Sequence, residues 1–64
     1  MDVEEKFLWI KKIRESIEQQ DAMALFRIEQ YLKDTDDIYE VWREMSIKQR
    51  NAAKALLHQL RGKL

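Results

Sequence analysis

Few residues of this chain could do chemistry. There is one histidine, His58, and no cysteine. A lone imidazole cannot build a histidine metal site, and without thiols both disulfides and thiolate zinc sites are excluded. Ser16 and Ser46 are the only serines and lie far from His58 in sequence, so only an accident of tertiary packing would pair either with it. Gly62 is the only glycine, which leaves no glycine-rich phosphate loop. Asp34, Asp36, Asp37 and Glu40 crowd together. A calcium loop, however, needs a D-x-D-x-D-G run closed by a later glutamate, and here the glycine is missing and the spacing is wrong. The expectation is a protein that is not an enzyme, with no cofactor, no metal and no small-molecule substrate.

Binding chemistry is better represented. The stretch "SIKQRNAAKALLHQLRGKL", residues 46–64, carries Lys48, Arg50, Lys54, Arg61 and Lys63 and no acid, although the whole chain is neutral with twelve bases and twelve acids. On a helical wheel Arg50, Lys54 and Arg61 share one flank, with His58 close by. Gln, Arg and Asn are side chains that read base edges, and a helix-turn-helix presents them from the start of its second helix. Lys48, Gln49, Arg50, Asn51, Lys54 and Arg61 are therefore the candidate nucleic-acid residues. Two facts weigh against them. Net charge zero is a poor basis for phosphate neutralisation. The preceding segment, the helix that would cross the phosphate backbone, is acidic at Asp36, Asp37, Glu40 and Glu44. The competing explanation is charge balance inside the fold, because residues 1–45 hold seven bases against twelve acids.

The elements that would position these residues are helices. Proline is absent, no run alternates with period two, and apolar residues recur at steps of three and four. Val3, Phe7, Ile10, Ile13 and Ile17 predict a helix over 2–19, with Asp2, Glu4 and Glu5 placed well for its dipole. Asp21 is a plausible N-cap for a second helix over 21–33, striped by Ala24, Leu25, Ile28, Tyr31 and Leu32, with Glu29 and Lys33 forming an i,i+4 pair. Asp37 with Glu40 makes a capping-box-like start for a third, over 37–45, carrying Ile38, Val41, Trp42 and Met45. Ser46 with Gln49 forms a second such box and predicts a fourth helix over 47–62. The alternative is one continuous helix from residue 38, with Ile38, Trp42, Met45, Ala52, Ala53, Leu56, Leu57, Leu60 and Leu64 on one face. Spanning ~39 Å, it would overhang its neighbours and call for a dimer. The break at Ser46 is preferred because a compact monomer needs it.

The expected architecture is a single all-α domain over residues 1–64, a bundle of three to four helices, monomeric or dimeric. Its expected core is Phe7, Ile10, Ile13, Ile17, Leu25, Ile28, Leu32, Ile38, Trp42, Met45, Ala53, Leu56, Leu57 and Leu60. So short a chain buries only ~60% of its unfolded surface, which makes self-association or a partner a natural source of extra stability. No segment approaches the ~20 apolar residues of a membrane span. The acidic opening "MDVEEK" is unlike a signal peptide, and the lack of cysteine fits a reducing compartment, so the expected setting is cytoplasmic.

Several large apolar residues miss the stripes: Leu8, Trp9, Met23, Phe26 and Tyr39. Gathered on adjacent helices, they would form a patch of the kind that marks interfaces, where aromatics and Met are enriched. A bundle core wider than one stripe would instead absorb Trp9 and Phe26. The leading expectation is a small regulator or adaptor, an inhibitor or modulator of a larger protein, acting through this surface on another protein or on itself. The alternative is a DNA- or RNA-binding regulator using helix 46–61.

Overall fold

The structure is a computed structural model that describes residues 1–63; Leu64 lies outside the described residues. Four helices follow one another: α1 (Val3–Glu18), α2 (Ala22–Asp34), α3 (Ile38–Glu44) and α4 (Ile47–Lys63). α1 packs on all three others, and α2 packs on α3 and α4. The expected bundle is present in its four-helix form, with every boundary within one residue of that predicted.

Two corners are turned without Gly or Pro. At the end of α1, Gln20 takes a left-handed φ of 53°. Its N–H donates to Ile17 O at 3.1 Å, and the Asp21 N–H donates to Ser16 O at 2.9 Å. At the end of α2, Asp36 takes φ 61°, with Asp36 N–H to Lys33 O at 3.2 Å and Asp37 N–H to Leu32 O at 2.9 Å. Both are Schellman closures, usually made by glycine. Asp21 then caps α2 as predicted, its Oδ1 accepting the Ala24 N–H at 3.1 Å.

The chain breaks between α3 and α4. Met45 is extended (φ −91°, ψ 148°) and its side chain is buried. Ser46 Oγ accepts the Gln49 N–H at 3.2 Å. A continuous helix of ~39 Å would outreach the molecule, whose longest dimension is 34 Å. The overhang argument for a dimer therefore falls away. The two expected capping boxes are incomplete. The Gln49 side chain accepts Arg14 Nε at 3.2 Å instead of closing onto Ser46. Asp37 makes no side-chain cap, and Glu40 is drawn to Lys6 Nζ at 3.7 Å and the Met1 amino group at 3.6 Å.

Ile10, Ile13, Leu25, Leu32, Ile38, Val41, Met45, Ala53, Leu56 and Leu57 form the buried core. Ile17, Ile28 and Trp42 pack on it half-buried, and Leu60 is half-buried as well. Phe7 corrects the expectation, being 55% exposed. The buried arc of α1 runs from Ile10 through Ile13 to Ser16, and Phe7 lies ~60° beyond its edge at 100° per residue. Val3 and Tyr31, also read as stripe residues, are exposed. Ser16 can be buried because its hydroxyl donates to Lys12 O at 3.0 Å.

Candidate functional site

The five candidate protein-binding residues do not form one patch. Trp9 belongs to the seam between α1 and α2. The Trp9 ring lies 5.0 Å from that of Tyr31, tilted by 30°, and Lys12 Nζ sits 4.8 Å from the Trp9 ring centroid. This aromatic pair and its cation fall in the geometric range that contributes favourably. Leu8 is half-exposed and stands one turn before Lys12, on the same side of α1. Lys12, Trp9 and Tyr31 thus meet along the seam, and Leu8 continues the strip along α1 beside Lys12. Trp9 is itself half-buried against the core, and its Nε1 is buried without a hydrogen-bond partner among the described residues.

Met23 and Phe26 lie elsewhere. Phe26 is about 140° around α2 from Tyr31 at 100° per residue, and it packs partly against the core. Met23, one turn earlier, is exposed. Tyr39 stands on α3, just after the acidic corner, and is 79% exposed. Tyr31 is the member that the stripe reading missed. Its position on the stripe edge facing α1, opposite an off-stripe tryptophan, was the available signal.

The candidate nucleic-acid residues divide between committed and uncommitted. Gln49 is held by Arg14. Arg61 Nη2 lies 3.5 Å from Glu29 Oε1, which also takes Lys33 Nζ at 3.2 Å. Glu29 is only 7% exposed, so the expected surface pair with Lys33 proves to be a sheltered carboxylate held by two cations. Arg50 is half-buried, and Lys48, Asn51 and Lys54 are exposed. Lys48, Arg50 and Lys54 make no ion pair among the described residues. On α3, Glu44 receives Lys6 at 3.5 Å and Glu40 receives Lys6 and the Met1 amine. The acids that weighed against a helix-turn-helix are thereby partly neutralised from α1.

Two open grooves flank α4. One, of about 250 Å³, is lined by Ile17, Gln20, Ala52, Ala55, Leu56 and Gln59. The other, of about 590 Å³, is lined by Glu29, Lys54, Ala55, Leu57, His58 and Arg61. Among the described residues no cluster of His, Cys, Asp and Glu is arranged to hold a metal ion, and no helix is long and apolar enough to cross a membrane. No protein-family model, curated protein or solved structure matches the chain.

Proposed function

We propose that this chain is a small non-enzymatic, cytoplasmic regulator or adaptor that binds another protein through the Leu8–Lys12–Trp9–Tyr31 strip. The observation that carries this reading is the aromatic pair at the α1–α2 seam, with Tyr31 half-exposed beside it. Tryptophan and tyrosine dominate binding hot spots because they bury much area at low entropic cost. The wider surface agrees: Val3, Phe7, Leu8, Met23, Tyr31, Tyr39 and Ile47 are all 47–79% exposed, a large apolar allowance for so short a chain.

A photo-cross-linking residue at position 8, introduced in the producing cells, tests the reading. It should capture one discrete protein, and Tyr31→Asp should abolish that capture. Cross-links formed equally well from position 51, on the outer face of α4, would count against the strip.

The second reading, nucleic-acid binding by α4, rests on Lys48 and Lys54, which make no ion pair among the described residues, and on the engagement of Glu40 and Glu44 by Lys6 and the Met1 amine. Under it, Lys48→Gln with Lys54→Gln should lower affinity for a duplex. Binding should also weaken with salt by ~0.9 log units per neutralised phosphate for each log unit of salt.

A further inference from the structure

Charge in this molecule is separated, and the separated sets do not meet. Residues 34–40 hold Asp34, Asp36, Asp37 and Glu40 with no base, whereas residues 46–63 hold five bases with no acid. Among the described residues the only ion pair joining α4 to an acid is Arg61–Glu29. Glu40 is satisfied by α1. That leaves Asp34, Asp36 and Asp37 at one corner, and Lys48, Arg50 and Lys54 on α4, without an ion pair among the described residues.

Each set borders an apolar feature of opposite shape, the basic one through Lys54. The acidic corner is followed directly by Tyr39, the most exposed of the large apolar residues. It stands in the first turn of α3. The basic side is concave. The α2–α4 groove is lined by Leu57 and Ala55, by Lys54, His58 and Arg61, and by Glu29, whose carboxylate is already held by Arg61 and Lys33; its ~590 Å³ is ample for a phenol ring.

We infer that the groove of one copy receives the acidic corner and Tyr39 of a second copy, head to tail. The carboxylates of Asp34 and Asp36 would lie against Lys54 and His58, and the Tyr39 ring would rest on Leu57 and Ala55. Buried aromatic anchors ringed by complementary charge are the usual anatomy of a specific contact. A second copy is the fitting occupant because one neutral chain carries both halves in complementary form. The contact joins two different surfaces, so it is heterologous. Each head-to-tail pair leaves one groove and one corner unfilled, and assembly proceeds to rings or open chains instead of stopping at a pair. The site lies away from the α1–α2 strip, so this inference stands independently of the proposed function.

Sedimentation equilibrium on the full chain tests it, from about 10 μM to about 1 mM protein at about 50 mM and about 500 mM NaCl, salts whose Debye lengths differ roughly threefold. The average mass should climb beyond two copies at low salt, and association should weaken at least tenfold at high salt. Lys54→Glu with His58→Glu should be monomeric alone, and so should Asp34→Lys with Asp36→Lys. All but Asp36 are exposed side chains on regular helix, and helical circular dichroism verifies that each variant folds. Should Asp36→Lys disturb its left-handed corner, Asp36→Gly with Tyr39→Ser provides a variant that should likewise lose association. Mixing the two charge-reversed proteins should restore assembly, because the acidic groove of one then faces the basic corner of the other, while the remaining groove and corner keep their native charges. Tyr31→Asp should leave assembly unchanged while losing the partner captured from position 8. A wild type that stays monomeric at low salt overturns the inference. So does a mass that stops at two copies, or a mixture that fails to associate.

Discussion

The Ser46 hydroxyl oxygen accepts the Gln49 N–H at 3.2 Å, and the Gln49 side chain in turn accepts Arg14 Nε at 3.2 Å. One residue thus joins the cap of α4 to α1. Ser46→Ala should cost ~1 kcal/mol, the usual worth of an N-cap. Arg14→Ala, which removes an exposed contact, should cost about 0.5 kcal/mol or less. Urea melts measure both. A Ser46→Ala variant more stable than the wild type would mean that α3 and α4 fuse in solution, since Ala is the better residue inside a helix.

Ile13 and Phe7 should part company. Ile13 is 1% exposed and touches the centre of the core, so Ile13→Ala should cost about 2–5 kcal/mol. Total stability for a chain of this size is only about 3–10 kcal/mol, so that loss should bring the variant close to unfolding at room temperature. Phe7→Ala should melt within about 1 kcal/mol of the wild type. Thermal melts of the two variants side by side decide the point.

The left-handed corners make a prediction of the opposite sign. Gln20 and Asp36 hold positive φ where glycine is unstrained. Gln20→Gly should stabilise by about 0.5–1 kcal/mol, the relief of strain exceeding the added freedom of the unfolded chain. Asp36→Gly should gain less, because Asp tolerates this conformation better than Gln does. Denaturant midpoints shifted upward for Gln20→Gly are the expected outcome.

Trp9 should be replaceable by one residue and not by another. Trp9→Phe keeps a ring against Tyr31 and removes the buried indole N–H that has no partner. Its effect on stability should stay within about 1 kcal/mol, since removing an unsatisfied donor offsets lost area. Trp9→Ala forfeits the packing and should cost about 2–3 kcal/mol, less than a fully buried tryptophan. Equilibrium melts compare the pair.

The helices were legible because their periodicity is strong and their caps are chemically explicit. Asp21 and Ser46 cap where their side chains say they should. Less legible was which edge of each stripe is buried. Hydrophobicity favoured Phe7 over Ser16, whereas the packing of α2 beside α1 selects the arc through Ser16. Glu29 read only as the i,i+4 partner of Lys33, because Arg61, its second cation, lies 32 positions away. The capping boxes misled for the same reason. Gln49 and Glu40 have the right local spacing, but Arg14 and Lys6 reach them from α1 and the Met1 amine from the residue pair before it. The five off-stripe apolar residues could be identified singly from the sequence. Their distribution over separate faces depends on how the helices dock.

Every corner closes on hydrogen bonds between residues no more than five positions apart. Little chain entropy must be surrendered before native contacts form, and bundles of this kind fold in microseconds to milliseconds. A protein that recloses so quickly gains no lasting protection from a slow unfolding barrier. Its survival against proteases follows the equilibrium share of opened molecules. A binding partner lowers that share by mass action. The abundance of this chain in the cell should therefore rise and fall with that of whatever it binds.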